Sequence, residues 1–363
     1  MLTCIVQGRK TVNENDRMCR RQFLTGALVM TGAGRGRRQI RVSSVQPRGM
    51  SHLAPFEGQT DRTLARQRME QNVELACRLL TQAGRAGCDI VCYPEDVQGI
   101  AHYMYYLDDL ALFTGLIERV PGPTTERIRE VARRHSMHVV FGIFERDGER
   151  LYNTAVLMGR KGEVLGKYHK VQILSVERWS LRGGEGFPVF QADFGTVGML
   201  ICYDIMFPEP ARALVLNGAE ILFNPTMGIS GAGQCEGNGL LRVRMRALDN
   251  FVPFVVSKCG SETMIVASDG NILAQAGASR EEVVTATVDL DGTPVDHSQW
   301  EVITGTWDVK ARFLQERLPE FYGDLTARHP AVLDRYESKR LRHTPEQIRE
   351  AYEEIRRRWS GKR

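Results

Sequence analysis

Val197-Gly198-Met199-Leu200-Ile201-Cys202-Tyr203-Asp204-Ile205-Met206-Phe207-Pro208-Glu209 is the stretch whose reading decides the fold. A continuous apolar run closes on a bend, and a proline then opens an amphipathic segment. That order reads as a buried strand, a tight turn and a helix. A cysteine on the bend projects from the sheet edge towards the start of the next helix. There the helix dipole and nearby cations lower a thiol's pKa and make it a nucleophile. A free cysteine beside a strand is also the profile of a small core residue. Taken alone, the stretch supports an α/β fold and leaves the chemistry of Cys202 open.

Two further strand ends bear on it. Cys88-Asp89-Ile90-Val91-Cys92-Tyr93-Pro94-Glu95 is an apolar strand that ends in a carboxylate, and Gly166-Lys167-Tyr168-His169-Lys170-Val171 is an extended segment that ends in a lysine. Glu95, Lys170 and Cys202 then supply a base, a cation and a nucleophile. Hydrolysis of an unreactive carbon–nitrogen bond needs those three roles. Each motif is unspecific by itself; their order and flanks carry the information.

Together these motifs resemble the nitrilase superfamily of carbon–nitrogen hydrolases. Glu177, in Val176-Glu177-Arg178-Trp179, is similar to that family's second glutamate. Asn224-Pro225-Thr226, Arg246-Ala247-Leu248-Asp249-Asn250 and Ser268-Asp269-Gly270 follow its order, with Asp249 where glutamate is commoner. The likeness runs over about residues 39 to 292. It implies an α/β fold, a four-layer α-β-β-α sandwich with two mixed β-sheets. It also implies catalysis through a cysteine thioester. Glu95 is then the base, Cys202 the nucleophile, and Lys170 with the backbone N–H of Tyr203 the oxyanion donors. Glu177 holds Lys170 or the leaving group. The flank Cys202-Tyr203-Asp204 resembles amidase and carbamoylase branches, so linear amides or N-carbamoyl amines lead as substrates. Nitrile hydrolysis and acyl transfer to an amine are the alternatives on the same residues, and a non-catalytic scaffold is the alternative of another class. No cofactor or metal is expected, and relatives suggest a homodimer or higher homo-oligomer.

The composition, 42% hydrophobic and 25% charged over 363 residues, is that of a globular chain, and no apolar run reaches the length of a membrane span. Net charge is +4, but residues 1–41 hold nine Lys/Arg against two acids. The body is therefore mildly acidic, which argues against nucleic acid as a partner. The eight cysteines show no metal-ligand spacing. Cys88 and Cys92, four apart, are expected on one face of one strand. Residues 1–38 contain Arg20-Arg21-Gln22-Phe23-Leu24, which reads either as a twin-arginine export signal or as an unstructured basic extension. Cytoplasmic residence is the leading expectation, with export as the alternative.

Between these landmarks, Gln39 to Gln46 reads as the first strand and Asp61 to Gly84 as a helix. Thr124 to His135 is a second helix, capped by Thr124 or Thr125. His138 to Glu145 pairs with Asn153 to Met158 across the Asp147-Gly148 turn. Residues 39–297 form the main domain and 298–363 a helical extension. In that extension Thr344-Pro345-Glu346-Gln347 opens a helix, and Trp307, Phe313, Phe321 and Tyr322 are candidates either for a subunit contact or for packing on the chain's own body. Tyr103, Tyr106 and Met227 are candidate pocket residues, since loops after strand ends carry specificity. Tyr105 belongs to the same run. His169 is expected to be a satisfied neighbour of Lys170, and the glycine-rich Gly228 to Gln234 a mobile wall rather than a phosphate cradle. Asp204 is expected to pair with Arg212 and brace the turn.

Overall fold

The computed structural model describes residues 38–48, 61–105, 110–227, 238–278, 280–292 and 308–339, with 346, 347 and 350. The twin-arginine segment, Trp307 and most of the helix expected from Thr344 lie outside the described residues.

The strands, in chain order, are β1 (Gln39–Gln46), β2 (Ile90–Cys92), β3 (His138–Asp147), β4 (Arg150–Met158), β5 (Val164–His169), β6 (Val189–Ala192), β7 (Gly195–Met199), β8 (Ile221–Thr226), β9 (Phe254–Lys258), β10 (Met264–Val266), β11 (Ile272–Gln275) and β12 (Glu282–Asp289). They make two six-stranded sheets, ordered β12-β1-β2-β3-β4-β5 and β11-β10-β9-β8-β7-β6. Both are mixed. In the first, β1, β2 and β3 run parallel and the rest antiparallel. In the second the parallel core is β7, β8 and β9.

The helices are α1 (Arg62–Arg85), α2 (Ala101–Tyr105), α3 (Leu110–Leu116), α4 (Pro123–His135), α5 (Pro208–Leu216), α6 (Asn238–Asn250) and α7 (Val309–Gln315). Strand alternation distributes the apolar side chains over three layers of core. On β3, Val140 faces the other sheet, while Val139 and Phe141 face α1 and α4. On β8, Ile221 and Phe223 point between the sheets, and Leu222 points to α5 and α6. Because both faces of each sheet are covered, the strands read as unbroken apolar runs rather than as alternation. The expected α-β-β-α sandwich is what these layers form.

Helix α1 is capped by Asp61, whose carboxylate accepts from Thr63 N at 2.8 Å. Its buried Ala65, Met69, Val73, Ala76, Leu79, Leu80 and Ala83 recur at helical spacing. The start of α4 differs from the expectation. Gly122 is the N-cap and Pro123 takes the first turn, where its missing N–H costs nothing. Thr125 instead accepts from Gly122 N at 2.6 Å.

A second correction concerns Cys88 and Cys92. The strand begins only at Ile90, so Cys88 sits in the preceding turn, on the helix side, with Sγ 3.6 Å from Met137 Sδ. Cys92 lies between the sheets. In the C-terminal segment, α7 is followed by 3-10 turns with Phe321 and Leu325 well exposed. Phe313 stacks obliquely on Phe251 at 5.5 Å. No helix among the described residues is long and apolar enough to cross a membrane.

Candidate active site

Glu95 owes its position to the way the chain leaves β2. After Cys92 the backbone keeps running beside β3, with Tyr93 N bonded to Val140 O, Gly142 N to Pro94 O and Val97 N to Gly142 O. Gly142 makes that approach feasible, because a Cβ there would lie 2.0 Å from Glu95 O. Asp96 then caps the turn into α2, accepting from Gly99 N at 2.9 Å and Ala101 N at 2.7 Å. Burial pushes its carboxyl up to about 6.

Lys170 continues the β4–β5 ladder by one residue, its N–H bonding Asn153 O at 2.9 Å. Its ammonium contacts Glu95 Oε1 at 3.0 Å and Glu177 Oε1 at 2.9 Å. Glu177 stands on a 3-10 turn, Ser175–Trp179, and its Oε2 accepts from Leu174 N at 2.8 Å. Glu95 Oε2 accepts from Met227 N at 2.9 Å, which ties the end of β8 to the same carboxylate. Glu95, Lys170 and Glu177 are fully buried.

Asn153 joins them, and sequence reading had placed it only as the start of a strand. Its Nδ2 donates to Glu95 Oε1 at 2.8 Å and to Glu177 Oε1 at 2.9 Å. The signal that would have singled it out is a polar pair, Asn153-Thr154, inside an otherwise apolar strand buried on both faces.

Cys202 follows β7 and opens a 3-10 turn, Cys202–Met206, with φ 44°. For a non-glycine residue that left-handed backbone is uncommon, and it concentrates at functional turns. The cysteine is half-buried against the core between the sheets. Asp204 fixes the turn. Its carboxylate accepts from Ile201 N at 2.9 Å, Tyr168 OH at 2.8 Å and Gln172 N at 2.8 Å. The last two flank Lys170, so one aspartate fastens the cysteine turn to the lysine segment. Burial pushes the Asp204 carboxyl up to about 6. The expected pairing with Arg212 does not occur. Asp204 points inward with its acceptors filled, and the Arg212 guanidinium donates to Asp249 O instead. Tyr203 is half-buried, its ring edge against Phe207 at 5.4 Å.

Glu95, Lys170, Cys202 and Met227 each follow the C-terminal end of a strand, the edge where α/β sheets present their binding crevices. His169 points to the opposite face from Lys170, as alternation requires. It stacks on Tyr152 at 3.9 Å and bonds Glu145 Oε2 at 3.0 Å. Burial alone would raise the Glu145 carboxyl, but bonds from His169, Lys167 and Thr154 outweigh it and hold the group below its usual range. Tyr103 is buried in a cluster with Met104, Phe113, Phe144 and Leu181, against which Met227 packs. Tyr106 and the loop from Gly228 to Gln234 lie outside the described residues. Among the described residues no group of three His, Cys, Asp or Glu is arranged to hold a metal ion.

Comparison with known proteins places this geometry in context. The family model for carbon-nitrogen hydrolases matches residues 41–294. A nitrilase of Pyrococcus abyssi is 31% identical over 232 residues, covering 61% of this chain and 84% of that protein. The omega-amidase NIT2 of Xenopus tropicalis is 30% identical over 241 residues, with the same coverage of each. Among solved structures, a carbon-nitrogen hydrolase from Helicobacter pylori G27 aligns with a TM-score of 0.61 at 20% identity, over 80% of this chain and 99% of that one. An amidase from Nesterenkonia sp. AN1, in complex with acrylamide, aligns at 0.59 and 18%, over 81% and 100%. At those identities the solved structures share the fold. With the family match extending over most of the chain, this protein belongs to the carbon–nitrogen hydrolases of the nitrilase superfamily.

Proposed function

We propose that the protein hydrolyses linear amides or N-carbamoyl amines to an acid and ammonia or an amine, through a thioester on Cys202. The observation that carries this reading is the buried set Glu95–Lys170–Glu177, on the segment to which Asp204 fastens the cysteine turn. Two carboxylates and one ammonium taken wholly out of water cost several kcal/mol per ion, roughly, before their mutual attraction is counted. Function is the better reason for such a group than stability.

In the first step Glu95 takes the Cys202 proton and Sγ bonds to the carbonyl carbon. The oxygen that gains charge is met by Lys170 and the backbone N–H of Tyr203. Collapse breaks the carbon–nitrogen bond, and the proton held by Glu95 goes to the departing nitrogen. Water then attacks the thioester while Glu95 takes its proton, and the carbon–sulfur bond breaks to return the thiol. Glu177 keeps the ammonium directed at the reacting oxygen. The similar proteins include both omega-amidases and a nitrilase, and amides are placed ahead of nitriles because the residues that follow Cys202 resemble the amidase branch. Met227, with its N–H on Glu95, and Tyr103 behind it stand as candidate walls of the substrate pocket.

The free thiols of Cys77, Cys88 and Cys92 fit a reducing compartment. A homodimer or higher oligomer is favoured by α6, which exposes Leu241, Met245 and Leu248 in a stripe four and three residues apart. The test is ammonia release from a panel of amides, N-carbamoyl amino acids and nitriles. Turnover on one class, lost in Cys202→Ala and accompanied by an acyl adduct in the intact mass of the native protein, is expected. Turnover that survives Cys202→Ala would overturn the reading.

A further inference from the structure

We propose that Asn153 is a positioning residue of this site, whose side chain holds both carboxylates in place while its own backbone holds the lysine. The inference rests on the amide-hydrolase reading for its kinetic consequences, though not for its structural ones.

Asn153 bonds all three residues, the two glutamates at their carboxylates and Lys170 at its backbone. Its carbonyl accepts from Lys170 N at 2.9 Å, and its Nδ2 donates to Glu95 Oε1 at 2.8 Å and Glu177 Oε1 at 2.9 Å. The Lys170 ammonium contacts the same two oxygens. Each Oε1 therefore sits between an ammonium and an amide, and the four groups close a ring. An amide NH2 has two N–H donors in one plane, and both are used here. Asn153 Oδ1, by contrast, is buried without a partner. A buried acceptor left unmade costs free energy, so it is the nitrogen of the side chain, not its oxygen, that suits this position.

The need for that nitrogen follows from charge. The carboxylates bring two negative charges to one positive, and their Oε1 atoms share the same two donors, so repulsion acts to part them. A second lysine would neutralise the excess but would spoil the base. A neutral donor with two fixed N–H vectors bonds both carboxylates and sets the rotation of each without adding charge. Asn153 also lies directly across from Phe144 on β3 and is fully buried, so it has no freedom to turn away.

The test compares Asn153→Leu and Asn153→Asp with the native protein. Leucine keeps the volume and offers no donor. Aspartate keeps the shape and adds a third acid. If Asn153 positions the pair, kcat falls about 100-fold, the scale of a misplacement near 1 Å, with KM changed far less. That split between kcat and KM is the readout a packing role alone would not give. A second measurement does not depend on turnover. In a Cys202→Ala background at fixed neutral pH, the side-chain carboxyl NMR signals of Glu95 and Glu177 should move when Asn153→Leu is added, since both lose the Asn153 Nδ2 donor. Lost stability with a native kcat and unmoved carboxyl signals would reduce Asn153 to a packing residue and overturn the proposal. Absence of Cys202-dependent turnover in the native protein would instead fail the hydrolase reading and leave the carboxyl signals to decide Asn153.

Discussion

Substituting Gly142 by alanine tests the placement of Glu95 directly. The added Cβ would lie 2.0 Å from Glu95 O, 2.3 Å from its carbonyl carbon and 2.4 Å from its Cα. All three are backbone atoms, so no side chain can swing aside; the turn must leave β3 by more than about 1 Å to restore ordinary contact. That motion strains two hydrogen bonds of 3.0 Å each, Gly142 N to Pro94 O and Val97 N to Gly142 O. Two bonds at about 1 kcal/mol each, with overpacking of about 1–3 kcal/mol, give a loss of about 3–5 kcal/mol. That is a large share of the total for a typical domain. Displacing the base by 1 Å should also reduce kcat about 100-fold. Urea denaturation measures the first, and ammonia release, well below the midpoint, the second. Gly148→Ala is the control. Gly148 has φ +60° on the β3–β4 turn with nothing within 4 Å of an added Cβ, so about 1–2 kcal/mol of backbone strain is expected with the rate unchanged. A Gly142→Ala protein with the native midpoint would refute the close approach of Glu95 to β3. Lost stability with a native rate would refute the link from that approach to the chemistry.

Lys170→Met should leave two buried carboxylates without a cation and cost about 3–5 kcal/mol; a native midpoint in urea denaturation would contradict this. Asp204 and Asp96 each have a carboxyl raised by burial from an ordinary 3.8 to about 6. A raised acid favours the folded state most when protonated, so stability from each is present below about pH 4 and declines by about 3 kcal/mol as pH rises through 6. Asp204→Asn should flatten that decline in the pH dependence of the melting temperature, and an unchanged profile would reject the assignment. Replacing Leu241 and Met245 by lysine should shift the protein to a smaller species by light scattering if the exposed α6 stripe joins subunits; an unchanged mass would exclude that face.

Much of the architecture was legible in the chain because it is local. Strand ends, the helix start at Asp61 and the Asp147-Gly148 turn follow from residues within a few positions of each other, although the cap of α4 is Gly122 rather than Thr124 or Thr125. The apolar run to Ile201, the carboxylate after Cys92 and the lysine after His169 each marked a strand terminus before any pairing was known. The errors came where a reading needed a partner. Cys88 and Cys92 were put on one face because four residues is an even number, yet the strand starts between them. Asp204 was matched to Arg212, eight residues along, while its acceptors are filled by Tyr168, 36 residues away, Gln172, 32 away, and Ile201.

By itself the sequence determined the α/β alternation, the family and the identities of four candidate groups, since period, strand ends and residue chemistry are properties of short segments. Tertiary structure alone decided that Asn153 closes a ring with groups 58 and 24 residues distant. It alone decided that Gly142 makes room for a glutamate's backbone, and that Asp204 couples the cysteine turn to the lysine. Those contacts depend on which strand lies beside which and in what register, and register is set by burial of whole faces rather than by any residue that takes part.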